Sequence, residues 1–107
     1  MNPFPKDIEA QIVFLTPEEG GRKGSVFWGY RPTFIYDEQW WDASIHFEGI
    51  DELPKGIPVT VYFAFTNPKH HVGHLFPGKK FQLWDGRVIA NGIVMKIIDL
   101  EKSAAYH

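Results

Sequence analysis

The 107-residue chain contains no cysteine. That excludes a disulfide framework, every thiolate metal site and any thiol nucleophile. Long apolar runs are also missing, since none approaches the ~20 residues that a membrane helix needs. The opening Met1-Asn2-Pro3-Phe4-Pro5-Lys6-Asp7 lacks the apolar stretch of a secretory signal, so the expectation is an intracellular, cytoplasmic soluble domain. No excess of one charge stands out either. A formal net charge of −2 argues against a surface built wholly for nucleic acid. No Gly-x-x-x-x-Gly-Lys-Ser/Thr phosphate loop occurs, and Ser25, Ser44 and Ser103 lack a Gly-x-Ser-x-Gly setting. Carboxylate pairs such as Asp37-Glu38 have no context that suggests acid/base work. These absences point to a non-enzymatic chain, with no cofactor implied.

What is abundant is aromatic: nine Phe, four Tyr and four Trp make up 16% of the residues, beside ten Gly and eight Pro. This is the composition of short strands punctuated by turns. The length fits a single domain, 1–107, burying roughly two-thirds of its unfolded surface around one core. Period 2 dominates. Ile8, Ala10, Ile12 and Phe14 alternate with Glu9, Gln11 and Val13. Ile57, Val59, Val61, Phe63 and Phe65 form the clearest alternation, stopped by Asn67-Pro68. Residues 25–28, 33–36 and 43–47 read as shorter strands. Residues 80–84 turn at Asp85-Gly86, a hairpin dipeptide, into a final strand over 87–98. Gly92 inside that strand suggests a bulge or bend. The tail after Asp99 reads as a helical turn or frayed end. About six strands with no crossover helix must pair antiparallel. Closing them removes exposed edges, so the expected fold is all-β: a small closed antiparallel Greek-key barrel over about 7–98, with termini 1–6 and 99–107 frayed.

Two strings carry more than pattern. Glu19-Gly20-Gly21-Arg22, followed by Phe27-Trp28-Gly29-Tyr30-Arg31-Pro32-Thr33-Phe34, resembles the third, C-terminal β-barrel domain of elongation factor Tu. The stretch from Pro77 through Trp84-Asp85-Gly86-Arg87 to Val94 resembles the last hairpin of that domain. Leu53-Pro54-Lys55-Gly56 sits where the family has a Pro-Gly-Asp turn. The resemblance spans about residues 7–98 and implies a translation-related barrel that packs against other domains and contacts aminoacyl-tRNA. This sequence departs from the family after Pro32, where Ile35-Tyr36-Asp37-Glu38-Gln39-Trp40-Trp41-Asp42 replaces a polar, basic stretch. Lys23-Gly24 replaces a His and a Thr after the first string. Acidic Asp37, Glu38 and Asp42 repel phosphate, which weakens an RNA contact and favours a protein partner.

Charge is divided unevenly. Residues 1–54 hold four basic and ten acidic side chains, a net of −6, whereas residues 55–107 hold seven basic and three acidic, a net of +4. Opposed potentials would orient a partner or support a homo-oligomer; solvated loops are the plainer reading. Candidate partner-binding residues are Arg22, Lys23 and Arg31 in the motifs, with Trp40 and Trp41 as apolar anchors. Consecutive Trp on a strand point to opposite faces, so at most one enters the core. Arg22 has an alternative role, pairing with Glu18, Glu19 or Asp85, and Arg31 one of pinning its turn. His70, His71 and His74 match the ligand type of a divalent metal site. Pro68 and Gly73 nevertheless favour an exposed loop, and no carboxylate lies nearby. His46 reads as a surface or half-buried strand residue. Phe27, Phe34, Phe63 and Phe81 are expected to fill the barrel.

Overall fold

The computed structural model describes residues 4–106. Six strands, β1 (Ile8–Phe14), β2 (Thr33–Tyr36), β3 (Gln39–His46), β4 (Pro58–Phe65), β5 (Lys80–Trp84) and β6 (Val88–Ile97), precede one short helix, α1 (Leu100–Ala105). The strands close in the order β1-β4-β3-β2-β5-β6, and every pairing is antiparallel. Consecutive β2, β3 and β4 lie side by side and β1 returns beside β4, which is a Greek key. The expected all-β barrel is therefore the fold. No helix among the described residues is long and apolar enough to cross a membrane.

The alternation of β1 puts Ile8, Ala10, Ile12 and Phe14 inside, each almost wholly buried. Across the lumen an aromatic cluster forms on Phe34. Its ring stacks on Phe81 at 4.2 Å and meets Phe63 and Phe65 edge-on at 5.1 and 5.0 Å. Such pairs each contribute about 0.5–1.5 kcal/mol beyond the area they bury. Phe27 takes no part. It makes an isolated bridge to Glu52 and is 59% exposed, because residues 25–28 run as a loop rather than a strand. This corrects its expected place in the core.

Bulges fall in β6, away from Gly92. Pairing skips Ile89 opposite Leu83 and Trp84, and Met95 opposite Glu9 and Ala10. The first shift lets consecutive Ile89 and Ala90 both face the core, where both are buried. Gly92 has a different reason: a Cβ there would meet the Phe81 ring at 2.3 Å.

Both ends of the described chain dock on the barrel. Asp7 is fully buried; its Oδ2 accepts from the Phe65 amide at 2.8 Å and its Oδ1 from the Ser103 hydroxyl of α1. Leu100 of α1 is buried, so the stretch expected as a turn or frayed end is a packed helix. Lys6 bridges Glu48 at 2.5 Å. Phe4 stacks on His46, with centroids 4.6 Å apart, and Trp28 meets the same ring edge-on.

Candidate functional site

The strand period decides which side chains reach the outside of β3, β2 and β5. Because Phe34, Ala43 and Leu83 point inward, Trp40, Ile35 and Gln82 form one outward cross-strand row, and Asp42, Thr33 and Trp84 form the next. Trp40 is 57% exposed and meets the half-buried Trp84 edge-to-face at 4.9 Å. Gln82 extends the row by donating to Asn91 Oδ1 of β6 at 3.0 Å. The result is an indole platform on the barrel wall, with Ile35 beside it.

Trp41 follows the opposite face, as alternation requires. It packs against the core, where His71 lies edge-on at 4.7 Å and His70 covers it at 5.0 Å. Its Nε1 is buried with no hydrogen-bond partner among the described residues. At the end of the sheet both tryptophans line an open cleft of about 300 Å³ with Thr33, Asp42 and Asn67. A second cleft, of about 460 Å³, flanks the platform between Asp37, Glu38, Lys80 and Gln82.

Carboxylates border the platform. Asp37 is neutralised by Lys79 at 2.6 Å. Glu38 and Asp42 are exposed and carry no ion pair among the described residues. Asp37 and Glu38 form the two-residue β2–β3 turn with φ of 50° and 61°. That left-handed pair is the geometry of a tight hairpin, which favours Asn-Gly or Asp-Gly. Glu38 holds a charge where glycine would be more comfortable.

The arginines are engaged. Arg22 bonds Asp85 at 3.1 Å while its guanidinium lies 4.7 Å over the Tyr30 ring, and the Tyr30 hydroxyl also donates to Asp85. Burial, reinforced by the Asp85 carboxylate, pushes the Tyr30 phenol well above its usual range. Three separated strings thus meet at one point: Arg22 after Gly20-Gly21, Tyr30 in the Gly-Tyr-Arg-Pro segment, and Asp85 of the last hairpin. Gly21 belongs to the same corner, since a Cβ there would strike the Leu15 carbonyl at 2.3 Å. Arg31 donates to Thr66 Oγ1 at 3.2 Å. Lys23 is exposed and borders a shallow cleft with Arg22, Asp85 and Arg87. Of the five candidate partner-binding residues, Trp40 and Trp41 share one cleft, Arg22 and Lys23 share another, and Arg31 lines a third with Phe4 and Ser44.

The histidines divide. His70 and His74 are exposed in the loop after Pro68, whereas His71 turns fully into the barrel. Its Nδ1 lies 2.7 Å from the Tyr36 hydroxyl and its ring packs on Phe65 at 4.2 Å. Burial, with smaller contributions from His70 and His74, lowers its pKa to about 4. No group of three or more His, Cys, Asp or Glu among the described residues is placed to hold a metal ion. His46 is buried too, contrary to its reading as a surface or half-buried residue. It faces outward from β3, but Phe4 and Trp28 cover it, and its Nε2 lies 2.8 Å from Ser44 Oγ. Its Nδ1 is buried with no hydrogen-bond partner among the described residues.

Sequence reasoning named Trp40 and Trp41 but missed Trp84 as a partner of Trp40. The signal was available in principle: Trp84 lies directly before the Asp85-Gly86 turn, but which strand neighbours β5 depends on the barrel order. No protein-family model matches the chain.

Proposed function

We propose that this barrel is a non-enzymatic binding module whose partner is a protein, docking on the Trp40–Trp84 platform. The observation that carries the reading is Trp40 itself: a large indole, 57% exposed on a regular strand and braced by Trp84 rather than folded over a rim. Exposed tryptophan supplies much contact area at little entropic cost and is enriched at interface anchors. Unpaired Glu38 and Asp42 beside it oppose phosphate, which makes RNA the weaker partner. The resemblance to the C-terminal barrel of elongation factor Tu suggests a cytoplasmic, translation-related setting. The strings that carry this resemblance include Arg22, Tyr30 and Asp85, which meet in one cluster. That cluster is a brace between loop and hairpin and Arg31 is turned to Thr66, so of the candidate residues the docking reading rests on Trp40, with Trp84 beside it.

The test is affinity capture from nuclease-treated lysate with the native chain and Trp40→Ala in parallel, followed by reconstitution with each purified candidate. Support is a protein retained by the native chain and lost by the variant at unchanged melting temperature. Identical capture by both chains removes the platform from the function.

A further inference from the structure

The cleft at the end of the platform has a definite chemistry. It is lined by Trp40, Trp41, Thr33, Asp42 and Asn67, and the exposed indole of Trp40 stands two residues from Asp42 on the same outward face of β3. Indole faces attract cations more strongly than any other side-chain ring. Asp42 adds a full negative charge that no lysine or arginine of the described chain neutralises, although Lys6, Arg22 and Lys79 all hold carboxylates elsewhere. Glu38, in the turn that leads into the strand, is also unpaired and sits in a left-handed backbone conformation that disfavours it. Asp42 therefore keeps its charge with no ion-pair partner among the described residues, while Lys80 lines the other cleft with Glu38 and Gln82. Arg31 is turned to Thr66.

We infer that the Trp40–Trp41–Asp42 cleft receives an arginine side chain of an extended segment of the partner protein. The inference rests on the reading of the platform as a protein-docking face and names what that face selects. A planar guanidinium stacks on indole while offering paired N–H donors to a carboxylate, which suits this lining better than a lysine ammonium. The rest of the segment runs over Trp40, Ile35 and Trp84, where apolar side chains find contact. A phosphate-bearing ligand is disfavoured by the same carboxylates.

The test is a 1H–15N NMR titration of the full chain with two capped hexapeptides, Ala-Pro-Arg-Ala-Pro-Ala and the same sequence with citrulline for arginine. Citrulline keeps the shape and removes the charge. The expected result is saturable movement of the Trp40 and Trp41 indole signals and the Asn67 amide with the arginine peptide. Citrulline should weaken binding by about tenfold, and Asp42→Asn by about fivefold at unchanged fold. Equal binding of both peptides on Trp40 and Trp84 overturns the arginine site but leaves the docking face standing. Movement of the same signals with protein concentration alone overturns it too, because a second copy then fills the cleft. No movement with either peptide up to several millimolar also overturns it. If Trp40→Ala then captures the same proteins as the native chain, the docking face falls with it.

Discussion

The Tyr36 hydroxyl and His71 Nδ1 lie 2.7 Å apart inside the barrel, and the other imidazole nitrogen is buried with no hydrogen-bond partner among the described residues. Phe65, Trp41 and Tyr36 surround the ring, so a proton on it would be a buried charge in an aromatic nest. The same burial, with Asp37 nearby, raises the Tyr36 phenol to about 12.

Acid should therefore weaken the fold through His71. Its folded pKa, about 4, lies below the unfolded value of 6.5, so the unfolded chain binds more protons between them. The contribution is fully present above pH 6.5 and is lost as pH falls toward 4. Between pH 7 and 5 the loss is about 2 kcal/mol, and His46, also lowered by burial, acts in the same direction. Urea unfolding of the native chain and His71→Phe across this window measures it. The native curve should fall more steeply than the variant's; parallel curves contradict the assignment.

Glu38→Gly should raise stability by about 0.5–1 kcal/mol, since glycine accepts the φ of 61° that glutamate resists. Thermal melts of the two chains decide it. A lower melting temperature would mean that Glu38 makes an interaction outweighing its backbone strain.

Gly92→Ala should cost about 2 kcal/mol or more. The new methyl would lie 2.3 Å from the Phe81 ring and 2.8 Å from Ile12, and Phe81 is itself stacked on Phe34. Pairing with Phe81→Leu, which vacates the ring's edge, should recover part of the loss. Neutral behaviour of the single variant in urea melts contradicts the close approach.

Asp85→Ala should cost about 1–2 kcal/mol by releasing Arg22 and Tyr30 together. Hydrogen exchange should then quicken at the Gly29 and Ile45 amides, whose bonds tie the loop to β3. Unchanged exchange would show that the brace is not what holds the loop.

Much of the barrel was legible because its strands alternate. Residues 33–36 and 80–84 match β2 and β5 to the residue, and β1, β4 and β6 lie within a residue or so of the alternations that announce them. The beginning of β3 was hidden by its composition. Gln39-Trp40-Trp41-Asp42 is mostly exposed, so it carries no burial pattern, and only pairing with β2 makes it strand. Residues 25–28 mislead in the other direction, as their β-prone side chains lie in a loop that braces β3 by two backbone bonds from Gly29 and to Tyr30. The buried state of His46 was illegible because its cover, Phe4 and Trp28, comes from two distant segments. The tryptophan pair was readable as one in, one out. That Trp84 would brace the outer one required the strand order of the closed barrel.

The most direct measurement is capture of a protein partner by the native chain and by Trp40→Ala, with nuclease present and with the partner then purified and titrated. If Trp40 anchors a protein partner, binding is direct and RNA-independent and falls by about tenfold or more in the variant, with an unchanged melting temperature. Equal affinity for both chains, or binding that disappears once RNA is digested, would contradict it.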